Sequence, residues 1–170
     1  MDTLTRRLSV KSTLNTLRGM LSARSMAELT LFQKILSGEI PGNFVARGEN
    51  WGAFLDVFPR SEGHTLVVPS KPAQRINELS NLELSDLFEG LKHTQAVLSR
   101  YFKTNDFTVV IHDGPLAGQE IPHLHIHVIP RLEGDAGSAL PAMFPHANPP
   151  NPPDFTSLSE LCQKIKEASQ

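Results

Sequence analysis

The segment HLHIHVI, residues 123–129, alternates histidine with apolar residues and constrains the fold more than any other part of the chain. Successive side chains of a β-strand point to opposite faces of the sheet. The spacing therefore predicts a strand that turns Leu124, Ile126 and Val128 into the core and presents all three histidines on the other face. We expect that histidine face to be the working surface of the protein.

Geometry limits what the three histidines can do together. At about 3.3 Å per residue, His123 and His127 lie roughly 13 Å apart on a strand, whereas zinc binds an imidazole nitrogen at about 2.0 Å. One ion cannot bind all three, although a pair with ligands from elsewhere remains open, as do packed histidines without a chemical task. Imidazole also titrates near neutrality, so acid–base and nucleophilic chemistry are further alternatives.

The loop before the histidines, DGPLAGQEIP, favours one of these alternatives. Gly114 and Gly118 allow backbone N–H groups to approach an anion closely. Such a loop beside neutral imidazoles predicts a phosphate that is held by backbone amides, with an imidazole nitrogen aimed at phosphorus. This arrangement is typical of nucleophilic catalysis.

The rest of the pattern predicts an α+β domain with an antiparallel sheet of about five strands. A helix from Ala27 ends at Gly38, and a capping box of Ser80 and Glu83 begins a second helix that reaches about Phe102. Short connections between the strands favour antiparallel pairing. The predicted strands are 43–48, 51–58, 63–69, 107–112 and 123–129. The residues expected on buried helix faces are Leu31, Ile35 and Leu36, then Leu84, Leu87, Phe88, Leu91 and Leu98.

Composition divides the chain into three parts. Residues 1–25 hold five basic residues and one acidic residue, are rich in Ser and Thr, and carry leucines at helical spacing. They predict a mitochondrial transit peptide, with Met26 as a possible internal start; the alternative is a dispensable extension of a cytoplasmic protein. Residues 26–134 form the predicted catalytic domain. Residues 135–170 are predicted to be a Pro-rich tail with a final helix, near 157–166, that docks on the domain.

The whole-chain composition excludes several other classes. A hydrophobic content of 39% with 20% charged residues is ordinary for a globular protein, and without a run of about 18 apolar residues no transmembrane helix is expected. A net charge of −2 gives no reason to expect a nucleic-acid surface. Cys162, the single cysteine, excludes an internal disulfide and a multi-cysteine zinc cage.

From about Leu31 to Arg131 the sequence resembles the histidine triad (HIT) superfamily of nucleotide hydrolases and transferases. The segment 123–129 matches the His-φ-His-φ-His-φ-φ motif, where φ is apolar, and LFQKILSGEIP, AFLDVFPRSEGHTLVVP and DGPLAGQ extend the match. The resemblance implies an α+β HIT-like fold and hydrolysis at the α-phosphate of a nucleotide through a covalent nucleotidyl-histidine. It also implies a homodimer and a purine nucleotide, such as AMP or a nucleoside phosphoramidate, as ligand, with neither a cofactor nor a membrane as partner.

The resemblance also implies roles for individual residues. His125 matches the nucleophile, His127 the histidine that contacts phosphate oxygens, and His123 and His64 the histidines that orient the nucleophile. Asp56 matches the carboxylate that binds the ribose hydroxyls. The residues that match the apolar base pocket are Leu31, Phe32, Ile35, Phe54 and Val57, and those that match the phosphate-binding segment are His112, Gly118, Gln119 and Glu120.

Three positions depart from the family pattern. Thr30 and Gln33 stand where many small members carry a Cys-x-x-Cys zinc pair, so no structural zinc is expected. His112 replaces the usual Asn or Gln before the glycine loop and, unlike them, titrates. Glu120 replaces a phosphate-binding Ser or Thr with a negative charge.

The substrate is not fixed by the shared motifs. FQKILSGEIP and AFLDVFP resemble the nucleoside phosphoramidase branch, and DGPLAGQ with HVIPR resembles the fragile-histidine-triad hydrolases of dinucleoside polyphosphates. The phosphoramidase is the first expectation, because Glu120 disfavours highly charged substrates. A regulatory nucleotide-binding protein with incidental turnover and a metal enzyme are the remaining alternatives.

Overall fold

The structure, a computed structural model, describes residues 29–135. The expectations for residues 1–25 and for the tail with its helix near 157–166 therefore fall outside the described residues. The predicted start of the first helix at Ala27 is wrong, because Thr30 has an extended backbone and caps a helix that begins at Leu31. Within residues 29–135, no helix combines the length and the apolar character needed to cross a membrane.

Two α-helices and five strands follow the order that the sequence predicts: a short helix, three strands, a long helix and two strands. The helices are α1 (Leu31–Ser37) and α2 (Asn81–Phe102), with short 3-10 turns at Ile76–Glu78 and Pro115–Ala117. The strands are β1 (Phe44–Arg47), β2 (Trp51–Leu55), β3 (Thr65–Pro69), β4 (Phe107–Ile111) and β5 (Ile126–Pro130).

The five strands form one sheet in the order β1-β2-β3-β5-β4, and every neighbouring pair is antiparallel. This confirms the predicted fold class. The β5 strand lies between β3 and β4, and its His127 is paired with Leu66 on one side and Val110 on the other. The last histidine of the motif therefore sits in the middle of the β3-β5-β4 segment rather than at an edge.

The two faces of the sheet are covered by different elements. On one face Val67, Ile126 and Val128 are fully buried in a core that also contains Leu87 and Leu91 of α2. On the other face β2 and β3 contribute Phe54, Leu66 and Val68 to a smaller cluster around Phe32 of α1. Because side chains alternate along a strand, the histidine face of β5 is the face that carries α1.

Both helices begin with the capping box that their sequences favour. The Ser80 hydroxyl accepts from the Glu83 N–H and the Glu83 side chain accepts from Ser80, which confirms the predicted start of α2. Thr30 and Gln33 cap α1 in the same way. The two positions that carry zinc-binding cysteines in many relatives therefore serve here as a helix cap.

Two predicted buried helix positions are wrong. Leu31 is 42% exposed, and α1 instead buries Phe32, whose ring packs against Phe54 and two histidines. Phe88 is 49% exposed. The side of α2 that faces the sheet passes through Gly90, where an added Cβ would lie 2.5 Å from Trp51, and Phe88 points away from this contact.

All five strands are shorter than predicted, and the largest differences are at the end of β2 and at the start of β5. The β2 strand ends at Leu55 because the Asp56 side chain accepts from the Phe58 N–H and turns the chain. The β5 strand begins at Ile126 rather than His123. Before Ile126 the backbone pairs elsewhere, since the Leu124 N–H donates to the carbonyl of Ala73, which lies outside the sheet.

Candidate active site

His125 holds one ring nitrogen in a hydrogen bond and leaves the other free. Its Nδ1 lies 2.7 Å from the main-chain carbonyl oxygen of His123. A carbonyl oxygen only accepts, so Nδ1 carries the proton and donates, and in the neutral ring the lone pair is on Nε2. No residue among 29–135 hydrogen-bonds that Nε2. The backbone thus fixes the tautomer that presents a nucleophilic nitrogen.

His123 uses both of its ring nitrogens and is fully buried. Its Nε2–H donates to the carbonyl of Pro69 at 2.9 Å, and its Nδ1 accepts from the Thr30 hydroxyl at 2.7 Å. These bonds connect the end of β3 to the cap of α1 through one imidazole. His123 is therefore positioned to hold the carbonyl that orients His125, and it has no free lone pair for chemistry.

His64 and His127 form a second hydrogen-bonded pair. The Arg60 N–H donates to Nδ1 of His64, so the proton of His64 is on Nε2 and is donated to Nδ1 of His127 at 2.9 Å. His127 then carries its own proton on Nε2. The pair therefore presents an N–H donor from His127, whose ring centroid is 4.8 Å from that of His125.

Burial keeps these histidines neutral. It lowers the pKa of His125, and it outweighs the hydrogen bond to the His123 carbonyl, which raises the pKa. Burial and then the neighbouring imidazoles of His125 and His64 lower the pKa of His127 to about 4. Burial likewise lowers the pKa of His64, and Asp56, 3.4 Å away, only partly opposes this. At neutral pH the site is a group of uncharged imidazoles.

The same network bears on metal binding. Asp56, His64 and His127 each offer a ligand atom within 4.8 Å of the other two, a spacing that could surround an ion. Both ring nitrogens of His64 and one of His127 are already in hydrogen bonds, which an ion would have to break. We assign these side chains to the hydrogen-bond network that fixes the imidazole tautomers.

The glycine loop uses its amides differently from the prediction. The N–H groups of Gly114 and Gly118 donate to His112 and Pro115 carbonyls within the loop, so they are not directed at an anion. Gly118 contributes in another way: its φ is +92° and an added Cβ would lie 3.2 Å from Nδ1 of the His112 ring. The glycine therefore makes room for His112.

The two residues after Gly118 contribute separate polar groups. Gln119 is buried, and its amide nitrogen donates to the carbonyl of Gln74 at 2.7 Å, which leaves its Oε1 without a partner among residues 29–135. The N–H of Glu120 makes no hydrogen bond within the described part of the chain, and its side chain is exposed. Among the described residues, the Glu120 amide is thus one of the backbone donors of this loop that are free to bind a ligand.

The predicted base-pocket residues divide into two groups. Phe32 and Phe54 are 4% exposed and pack edge to face, with Ile35 against them, and Phe32 also contacts the rings of His123 and His125. Leu31 and Val57 are exposed, the latter by 78%. The buried residues pack around the histidine rings through Phe32, and the exposed residues present apolar surface to solvent.

Sequence reasoning missed two groups that shape the site. In the sequence Thr30 stands out only as a departure from a zinc pair, yet its hydroxyl bonds His123. The Arg60 N–H selects the tautomer of His64, and no sequence signal identifies a backbone donor of this kind. His123 and His125 are buried, so the histidine face predicted from strand alternation is not open to solvent at these two positions. These two precede β5 and fold back against Pro69 and Phe32.

Several known proteins are similar to this chain in sequence. An uncharacterised HIT-like protein of Methanocaldococcus jannaschii is 44% identical over 63% of this chain and 82% of its own length. The adenosine 5'-monophosphoramidase of Schizosaccharomyces pombe is 31% identical over 80% of this chain and 98% of its own. The asymmetrical bis(5'-nucleosyl)-tetraphosphatase of the same yeast is 39% identical, over only 49% of this chain and 46% of its own.

A solved structure and a family match lead to the same assignment. The crystal structure of a histidine triad nucleotide-binding protein from Candida albicans superposes with a TM-score of 0.67 and 28% identity, over 82% of this chain and 96% of the other. The HIT domain matches residues 37–134, which include the glycine loop and all three alternating histidines. The chain therefore belongs to the HIT domain family.

Proposed function

We propose that this chain, a nucleotide hydrolase of the HIT family, acts on adenosine 5'-phosphoramidates through a nucleotidylated His125. The observation that carries the proposal is the free Nε2 of His125, which the His123 carbonyl holds as the unprotonated nitrogen. A neutral imidazole attacks phosphorus without needing a separate base. Neighbouring donors would bind the phosphate oxygens: the Nε2–H of His127 and the amide of Glu120.

The reaction has two steps. In the first, a bond forms between His125 Nε2 and the α-phosphorus, while the phosphorus–nitrogen bond breaks and the leaving amine takes up a proton from solvent. In the second, water attacks phosphorus and returns a proton to solvent, the bond to His125 breaks and AMP leaves. Asp56 would bind the ribose hydroxyls, and Leu31 and Val57 would contact the base from the exposed apolar surface near α1.

Two considerations favour a phosphoramidate over a dinucleoside polyphosphate. The phosphoramidase relative matches nearly its whole length, whereas the tetraphosphatase matches less than half of its own. Glu120 also adds a negative charge two residues after Gly118. A polyphosphate carries more negative charge than a phosphoramidate, so the Glu120 carboxylate would repel it more strongly. The polyphosphate hydrolase is the second candidate, supported by the DGPLAGQ and HVIPR segments.

A side-by-side assay tests the choice of substrate. The full chain is incubated with adenosine 5'-phosphoramidate and, separately, with diadenosine triphosphate and tetraphosphate, and AMP release is measured. We expect the larger kcat/KM for the phosphoramidate. A larger value for either polyphosphate would support the second candidate, and tight AMP binding with negligible turnover of all three would support a regulatory nucleotide-binding protein.

We further propose a homodimer, by analogy with small HIT proteins. The β4 strand lies at one end of the sheet and β1 at the other, and an unpaired strand edge is a surface that a second copy can extend. Light scattering on the purified full chain should give twice the chain mass. A monomer at assay concentration would contradict the proposal.

The basic segment 1–25 motivates a proposal about location. Its five basic residues against one acidic residue favour import into mitochondria. The full chain should enter isolated mitochondria, and a chain that begins at Met26 should not, although it should retain full activity. Equal import of both, or of neither, would favour the alternative of a cytoplasmic protein with a dispensable extension.

A further inference from the structure

We propose that Arg75 and Asp113 are positioning residues that hold the glycine loop in the shape needed to bind phosphate. The inference rests on the proposed function, in which the Glu120 amide near the end of this loop contacts a phosphate oxygen. Neither residue belongs to the histidine motif or to the residues that match the phosphate-binding segment. Both act through the main chain of the loop rather than by touching the substrate.

Two hydrogen bonds join the first residue of the loop to the segment that follows β3. The Arg75 guanidinium donates to the main-chain carbonyl of Asp113 at 2.9 Å. The Asp113 carboxylate accepts from the Ile76 N–H at 3.0 Å. A side chain from each segment thus bonds the main chain of the other. The loop cannot shift along this segment without breaking at least one of the two bonds.

The Arg75 guanidinium also lies against the next residue of the loop, Gly114. A Cβ added at Gly114 would collide with Nη1 of Arg75 and would lie 2.7 Å from its Cζ. Among residues 29–135 the guanidinium has no hydrogen-bond partner other than the Asp113 carbonyl. Its contacts within the described part of the chain are therefore directed at the start of the glycine loop.

Hydrogen bonds connect Gly114 to the other end of the loop. Its carbonyl accepts from the Gln119 N–H at 3.2 Å. The Gln119 side chain is buried and donates to the carbonyl of Gln74 at 2.7 Å, so the segment after β3 holds this end of the loop as well. The next residue is Glu120, whose N–H is free within the described residues. The direction of this N–H therefore depends on bonds at both ends of the loop.

A backbone amide assists phosphoryl transfer only if it is held in place before charge develops on the phosphate oxygen. Such a donor needs no reorganisation during the reaction, and a displacement of about 1 Å can reduce the rate about 10²-fold. Loss of the Arg75 or Asp113 side chain frees the start of the loop and with it the Glu120 amide. The Arg75 bond is exposed to solvent, so we expect its loss to affect the rate more than the fold.

The test uses full-length protein and three forms of one nucleotide. These are adenosine 5'-phosphoramidate and the two diastereomers in which sulfur replaces one of its non-bridging oxygens. Sulfur accepts hydrogen bonds weakly, so the diastereomer whose sulfur faces the Glu120 amide has already lost that contact. In Arg75→Ala we expect kcat to fall about 10- to 100-fold for the oxygen substrate and for one diastereomer, and less than about threefold for the other.

Matched variants separate the hydrogen bonds from other effects. Arg100→Ala removes an exposed arginine of α2 and should leave all three rates unchanged. Asp113→Asn keeps an oxygen that can accept from the Ile76 N–H and should retain most of the activity. Asp113→Ala lacks this oxygen and should reproduce the pattern of Arg75→Ala. Urea denaturation identifies any variant that is unfolded, and if Arg75→Ala is unfolded, the two Asp113 variants decide with the same substrates.

The two diastereomers distinguish a positioning role from a purely structural one. Equal falls in kcat for both diastereomers would show that the Arg75–Asp113 contact only stabilises the fold. Unchanged rates for all three compounds would show that it has no role, and either result overturns the proposal. If wild-type protein releases no AMP from the oxygen substrate, the proposed function itself fails, together with this inference.

Discussion

The hydroxyl of Thr30, the residue that caps α1, donates to Nδ1 of His123 at a distance of 2.7 Å. The same hydroxyl accepts from the Gln33 N–H, so one side chain closes the helix and holds the imidazole. His123 in turn supplies the carbonyl that fixes His125. The start of α1 is thus connected to the proposed nucleophile through two hydrogen bonds.

Thr30→Val removes both hydrogen bonds of the hydroxyl while keeping the shape of the side chain. A lost cap and an unpaired buried Nδ1 together should reduce the free energy of unfolding by about 1 to 3 kcal/mol, measured by urea denaturation. Turnover should also fall, because the position of His123 sets that of His125. Thr30→Ser keeps the hydroxyl and should retain most of the stability and activity; losses as large as those of the valine variant would contradict this role.

Gly118→Ala tests whether the glycine makes room for His112. The added methyl would lie 3.2 Å from His112 Nδ1, on a backbone with φ of +92°. Gly134 provides a matched control, since its φ is +86° but nothing lies within 4 Å of an added Cβ. Both alanine variants should lose about 1 kcal/mol of stability to backbone strain, whereas kcat should fall only in Gly118→Ala. Equal kcat values in the two variants would show that His112 does not depend on Gly118.

The neutral histidines should make stability depend on pH. For His127 the folded state has a pKa of about 4, against an ordinary value of 6.5, so between these values the unfolded chain binds more protons than the folded one. The stabilising effect is present above about pH 6.5 and is lost as pH falls towards 4. The urea midpoint of the wild-type protein should therefore decrease as pH falls over this range. The midpoint of His127→Gln should decrease less steeply. A pH-independent wild-type midpoint would contradict buried neutral imidazoles.

Glu120→Ser should change substrate selectivity. If the carboxylate acts on the phosphates across about 4 Å of partly solvated space, like charges repel by on the order of 1 to 4 kcal/mol. The variant should lower KM for diadenosine polyphosphates more than for adenosine phosphoramidate, and salt should reduce the difference. Glu49→Ser, at an exposed position in the β1–β2 turn, is the control. An unchanged ratio of KM values at low salt would show that Glu120 does not set selectivity.

The sequence predicts the fold well because its signals are local. Alternation, capping boxes and turn residues act over a few neighbouring positions, and they predict the five antiparallel strands and the helix from Ser80 to Phe102. Prediction from local signals fails where tertiary contacts replace the pairing between strands. His123 and Leu124 pair with Pro69 and Ala73, so β5 starts later than the alternation suggests.

The site is predictable in its residue types but not in its hydrogen bonds. The motif indicates three histidines near a phosphate, yet the tautomer of each depends on a carbonyl or amide that is distant in sequence or has no side-chain signature. The Arg60 amide on His64 and the Pro69 carbonyl on His123 are of this kind. The amides of Gly114 and Gly118 show the opposite case. Glycine allows backbone amides to surround an anion, but these two amides donate to carbonyls of neighbouring residues instead.

Trapping the covalent intermediate tests the nucleophilic role of His125 most directly. Wild-type protein is mixed with an adenosine phosphoramidate, quenched within one turnover at alkaline pH, where phosphorus–imidazole bonds survive, and digested for mass spectrometry. We expect an adenylyl group on the peptide that contains His125, located on that residue by fragmentation. In His125→Ala the adduct should be absent and turnover should fall by more than about 10³-fold, while AMP still binds. An adenylyl group on another side chain, or substantial turnover by His125→Ala, would contradict the mechanism.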